Sequence, residues 1–249
     1  MATSWIAASS ITLCMLIACG ACAQTLQTTG VATALDASAA AGKAAPELYE
    51  ELHVFDATGL HRSVSYRRDG KEFAAKTVDY SPAAVAPNFT QRDLRRGEMI
   101  AARRDAQGRV ELGYREMSAA AERWQAVDAS DRPLVIDAGF DNFVRQQWPA
   151  LQKGDVIHFD FAVPSRAQVV HLVIVSAKAG LCGEPRLQGS HCFRVYAGNY
   201  VVRLFFPALH LLYDSDAQLQ RFMGLSNIND EQGDGQQVRI DYHRALLQN

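Results

Sequence analysis

A chain of 249 residues with 48% hydrophobic content is sized for one globular domain with flanking segments. Its formal charge of −2 and pI near 6.4 give no bulk attraction to nucleic acid, which is not expected as a partner. Beyond the N-terminus no apolar run is long enough for a spanning helix; the closest, 201–212, is interrupted by Arg203, Pro207 and His210.

Residues 1–23 carry no charged side chain, and Trp5 to Ala18 is almost wholly apolar or small. That fits a signal-peptide core and predicts export to the periplasm or cell envelope. Two processing sites overlap. Leu16-Ile17-Ala18-Cys19 has the form of a lipobox, which would lipidate Cys19 and make an outer-membrane lipoprotein. Ala21-Cys22-Ala23 is a small-x-small cleavage site. Cleavage after Ala23 leaves Cys182 and Cys192 as the only cysteines, an even count that favours one disulfide and soluble release.

Residues 24–47 are Ala-, Thr- and Gln-rich without clear periodicity, and read as a flexible leader. A single β-rich domain is expected over 48–243, followed by a short tail, 244–249. Leu48, Leu52 and Val54 alternate with polar neighbours, as do Leu60, Val64 and Tyr66. Arg68-Asp69-Gly70-Lys71 marks a hairpin, because Asp-Gly tolerates the positive φ of tight turns. Strands follow at Phe73–Tyr80, Glu98–Arg103 and Arg109–Arg115. The second half predicts strands at Val156–Val163, Val169–Ala177, Phe193–Ala197, Val201–Phe206, Leu209–Tyr213, Leu219–Gly224 and Gln237–Tyr242. Turn chemistry every 10–20 residues indicates a mainly β (α+β) fold, an antiparallel meander curled into a half-barrel or barrel.

One segment has helical period. Phe140, Phe143, Val144, Trp148 and Leu151 share one helix face, Asp137 is placed to cap its start, and Pro149 and Gly154 mark its end. Such a helix packs most simply across the concave face of the sheet.

The side-chain chemistry excludes more than it proposes. There is no G-x-S-x-G, S-x-x-K, H-E-x-x-H or Gly-rich phosphate loop, and no catalytic residue or cofactor is expected. His158, Asp160, His171 and His210 are candidates for a metal-dependent hydrolase if three of them converge; a half-exposed alternation along the strands explains them more simply. Seven arginines between Arg92 and Arg115 against four carboxylates leave a local +3, which suits protection of strand edges better than a lipid surface. Val169–Val175 and Leu204–Phe206 are apolar on both faces in places, so one face could border a cavity. Candidate lining residues are Phe140, Phe143, Trp148, Leu172, Ile174, Leu204 and Phe206.

Two stretches carry a resemblance: Asp137-Ala138-Gly139-Phe140-Asp141-Asn142-Phe143-Val144-Arg145, and Arg221-Phe222-Met223-Gly224-Leu225-Ser226-Asn227-Ile228-Asn229-Asp230 leading to Val238-Arg239-Ile240-Asp241-Tyr242. With Val163-Pro164-Ser165-Arg166 they look like an uncharacterised family of exported proteobacterial envelope proteins, whose activity is unassigned. In organisation, the repeated Asp-x-x-Gly turns, the inserted helix and the closing strand are similar to periplasmic lipoprotein carriers of the LolA/LolB type. That likeness implies an open half-barrel around an apolar cavity, and transfers no residue role. The expected function is therefore non-enzymatic binding of a lipid, acyl chain or lipoprotein tail. The alternative is an interaction or assembly module for another envelope protein.

Overall fold

The computed structural model describes residues 26–35, 45–128, 130–183, 189–203 and 207–246. The signal segment, Cys19, Leu204 and Phe206 lie outside the described residues. Among the described residues fifteen strands form one sheet. In chain order they are β1 (Leu26–Ala34), β2 (Glu47–Phe55), β3 (His61–Arg68), β4 (Lys71–Asp79), β5 (Asn88–Asp93), β6 (Glu98–Arg104), β7 (Val110–Arg115) and β8 (Arg123–Ala126). After them come β9 (Leu134–Ile136), β10 (Ile157–Val163), β11 (Gln168–Ser176), β12 (His191–Ala197), β13 (Leu209–Tyr213), β14 (Leu219–Asn229) and β15 (Gly235–Leu246). The sheet order runs from β8 back to β1, then β15 down to β9. All neighbours are antiparallel except β9 and β10. Asp69 (φ 52°) and Gly70 (φ 73°) both take positive φ, so the β3–β4 hairpin closes as its sequence demands.

The sheet does not close by hydrogen bonding; it rolls. Val135 and Phe159 join one apolar cluster with the helix. Ile136 and Ala162, one step on from partners of that pair, point the other way and pack on Val78, Phe89 and Leu112. The β9–β10 end is thus covered on both faces, tucked against the inner face of the β4–β7 end. The Ile136 amide donates to the Val85 carbonyl at 3.0 Å across this seam. Two-sided burial is why Ile157–Val163 lacks a clean polar face.

The expected flexible leader is corrected. Leu26–Ala34 is β1, which pairs with both β2 and β15 and so joins the first half of the sheet to the last. Its apolar pattern is weak because its inner face has little room for side chains. A Cβ on Gly30 would stand 2.8 Å from the Tyr242 ring, which lies over that glycine. Ala32 is fully buried in a cluster with Tyr49 and Ile240. The expected tail is corrected as well, since β15 continues to Leu246.

The helical segment forms, but it is broken. A 3₁₀ turn, Asp137–Gly139, leads into α1 (Phe140–Gln146), and α2 (Trp148–Gln152) follows. Pro149 cannot donate an amide backwards and crowds the preceding turn, so one helix ends at Gln146 and, after Gln147, another starts with proline in its first turn. Asp137 does not cap the helix; its side chain bonds elsewhere. The expected strand at 201–206 is corrected over 201–203, its described part. Residues 200–203 form a helical turn, α3 (Tyr200–Arg203), because the Asn199 carboxamide oxygen accepts the Val201 amide at 2.8 Å and outweighs the β-preference of two valines.

Cys182 and Cys192 are joined in a disulfide, packed with Leu212. It closes a loop with a sequence separation of 10. Replacing both cysteines with serine is expected to lower stability by about 3 kcal/mol, read as a lower urea midpoint. An unchanged midpoint would show that β12 and β13 hold this loop without the cross-link.

Candidate functional site

Rolling the sheet leaves a cavity of about 510 Å³ between its two halves. That volume is within the ~300–1,000 Å³ usual for small-molecule sites. The two halves line it differently. Strands β2–β6 set ionisable groups, Glu51, His53, Arg62, Tyr66, Lys76 and Glu98, among the apolar Phe55, Val64, Phe89 and Ile100. Strands β10–β13 contribute Phe161, Leu172, Val195, Leu209, Leu211 and Tyr213. From α1, Phe140 adds an aromatic ring and Asp141 and Arg145 a charged pair.

Register explains the charged wall. His53 is paired with Val64, Val64 with Lys76, and Lys76 with Gln91, so these four neighbours form one row across β2–β5. One step along, Glu51, Tyr66 and Ala74 form the next row. Inward-facing polar residues in consecutive rows need partners, because a buried polar group without one is costly. Most have them. Lys76 Nζ donates to Asp137 at 2.5 Å, and Asn227 Nδ2 donates to the same carboxylate at 3.2 Å. The Tyr242 hydroxyl donates to Glu51 at 3.2 Å, and His53 Nε2 lies 2.9 Å from the same oxygen. Gln91 Nε2 donates to the Asn227 carbonyl at 2.8 Å, tying β5 to β14 across the interior.

Burial sets the protonation states. It pushes the Asp137 carboxyl up, and Lys76 and Asn227 more than reverse this, leaving it below the ordinary aspartate range. Burial lowers the His53 imidazole below its ordinary value although Glu51 pulls the other way. His53 is therefore neutral at pH 7, with Nε2–H directed to Glu51. Burial raises Glu98 above the usual glutamate value, and the Tyr114 hydroxyl beside it opposes that rise.

Of the expected lining residues, Phe140 and Leu172 border the cavity. Phe143, Trp148 and Ile174 do not; they fill the layer behind it. Phe143 packs with ring centres 4.8 Å from Phe159, Trp148 leans on His191, Phe193 and Tyr213, and Ile174 is fully buried in the same cluster. Val173, on the opposite face of β11, is buried and does not border this cavity. The charged wall was missed because each of its residues is ordinary alone. On β2 the expected face is corrected: Leu52 and Val54 do not border the cavity, whereas Glu51 and His53, from the alternate set, do, and only Val64 and Tyr66 on β3 lay on the face that the alternation marked as inward.

The metal candidates come only partly together. His158 Nδ1 and His171 Nε2 are 3.0 Å apart with their rings stacked. Asp160 is instead held by Arg132 and Ser130, and His210 lies two strands away opposite Arg194 and Met223. Among the described residues no group of three His, Cys, Asp or Glu side chains could hold a metal ion. The arginine-rich stretch is largely occupied: Arg95 pairs with Asp93, Arg103 with Glu111 and Arg109 with Asp105, while Arg104 and Arg115 donate to backbone carbonyls.

No family model and no curated protein matches the chain. Among solved structures it is similar, at 10% identity and a TM-score of 0.38, to a β-barrel-like protein of the domain of unknown function DUF1849 from Brucella abortus, covering 90% of this chain and 96% of that one.

Proposed function

We propose that this is an exported, non-enzymatic binder of an amphiphilic small molecule. One observation carries the reading: the β10–β13 wall of the cavity is apolar, whereas the β2–β6 wall sets ionisable groups among its apolar ones. A purely apolar ligand would leave the β2–β6 groups facing hydrocarbon, and a purely polar one would waste the β10–β13 surface. A molecule with an apolar body and a polar end, such as a lipid or a detached acyl chain, satisfies both. Export is supported by the apolar N-terminal segment and by a disulfide of the kind that persists in oxidising compartments.

Titration of the full chain with N-phenyl-1-naphthylamine tests the reading. Saturable fluorescence enhancement at one probe per chain is expected. Leu209→Trp, which fills the apolar wall, should remove it while leaving the far-UV circular dichroism unchanged. A folded wild-type protein that shows no saturable uptake would overturn the proposal.

A further inference from the structure

We infer that Arg62 anchors an oxyanion at the polar end of the ligand, so that the site selects an apolar chain ending in a carboxylate or phosphate over its uncharged analogue. The inference rests on the cavity being a ligand site. Arg62 is on β3, in register with Phe55 on β2 and Val78 on β4, and it borders the cavity. Its guanidinium carbon lies 5.5 Å from the Phe55 ring centre and 5.7 Å from that of Tyr80, so two aromatic rings hold the group in place. Its Nε is buried and has no acceptor. A buried N–H without an acceptor is costly, and the rest of the guanidinium, at the cavity border, has further donors to offer an incoming oxyanion.

The nearby acids are already engaged. Asp137 is held by Lys76 and Asn227, and Glu51 takes hydrogen bonds from Tyr242 and His53. Among the described lining cations that are not exposed, Lys76 holds Asp137 and Arg145 holds Asp141. Arg62 has no such carboxylate. Position agrees with chemistry: Arg62, Phe55 and Phe89 also border a wider hollow of about 810 Å³ along the outer ends of β2–β6. Arg62 thus stands between that hollow and the inner cavity. An anionic head held there stays near water while its chain reaches inward toward Leu209 and Leu211.

The test compares three ligands with the same sixteen-carbon chain (palmitate, hexadecyl phosphate and 1-hexadecanol) on the full wild-type chain, Arg62→Gln and Arg62→Lys. Wild type should bind at least one of the two anions about tenfold or more tighter than the alcohol. Which anion shows the preference identifies the head. Arg62→Gln should abolish that preference while keeping alcohol affinity within about threefold, and Arg62→Lys should retain part of it. Equal binding of alcohol and anions by wild type, or an unchanged preference in Arg62→Gln, would overturn the anchor and leave the cavity reading intact. Failure of folded wild type to bind any of the three would instead remove the cavity reading itself.

Discussion

Replacing Lys76 with methionine is expected to lower stability by about 3–5 kcal/mol at pH 7, the range for removing one partner of a buried ion pair. The Lys76 side chain is only 4% exposed, and its ammonium is the cation in contact with Asp137. Without it, Asp137 must either carry an uncompensated charge into the interior or take up a proton on folding. The pH dependence separates this from simple loss of packing. In wild type the Asp137 carboxyl titrates below its ordinary value, so its contribution is present above the unfolded pKa near 3.8 and lost as pH falls through the lower folded value. Removing the ammonium in Lys76→Met leaves burial as the largest influence on the Asp137 carboxyl, so its folded value should rise and the deficit against wild type should shrink as pH falls from 7 toward 4. The double variant Lys76→Met/Asp137→Asn should recover most of the loss. Asn tolerates the positive φ of 34° at this position and can still accept from Asn227. Urea denaturation at pH 7 and pH 5 measures both effects. A single-variant loss under about 1 kcal/mol, or a double variant no better than the single, would show that the pair is not energetically isolated from solvent.

Legibility followed locality. Strands bounded by strong turns were readable from the chain, because Asp69-Gly70 encodes positive φ at two adjacent residues and the Asp105–Gly108 turn encodes it at Gly108. Strand β1 was not, because its small residues answer to rings on Tyr242 and Tyr49, far away in sequence. The β9 strand is three residues long and exists through its parallel partner β10 and the Val85 carbonyl. At 200–203 a single Asn199 cap overrode the propensity of the residues that follow. The site divides the same way. Phe140 and Leu172 were visible as apolar periodicity, which reports that a side chain is buried but not whether it faces protein or space. Phe143, Trp148 and Ile174 have the same pattern and face protein. The charged wall depended on the registers of β2 to β5, which are fixed only once the strands pair.

Gly139→Ala should cost about 2–3 kcal/mol and, if the cavity takes up the fluorescent probe as proposed, weaken that uptake, although local rules predict a gain. Gly139 has φ −76°, which alanine adopts freely, and an alanine here would reduce the entropy of the unfolded chain. Those terms favour the variant by up to about 1 kcal/mol each. Against them, the new Cβ would stand 2.1 Å from the Val85 carbonyl oxygen and 2.7 Å from Pro87 Cδ. Backbone cannot rotate away as a side chain does, and this loop is tied down on three sides. Ile136 donates to the Val85 carbonyl, Asn142 to that of Ala84 and Arg104 to that of Ala86. Relief therefore means lifting α1 off the loop, which loosens the seam and displaces Phe140 from the cavity wall; overpacking of this kind typically costs about 1–3 kcal/mol before any lost hydrogen bond is counted. Gly180→Ala is the matched comparison, since a Cβ there meets nothing within 4 Å, and it should stay within about 0.5 kcal/mol of wild type. If Gly139→Ala were instead as stable as Gly180→Ala and bound the fluorescent probe normally, the contact between α1 and the 84–87 loop would be adjustable, and the helix could not be what fixes the shape of the cavity.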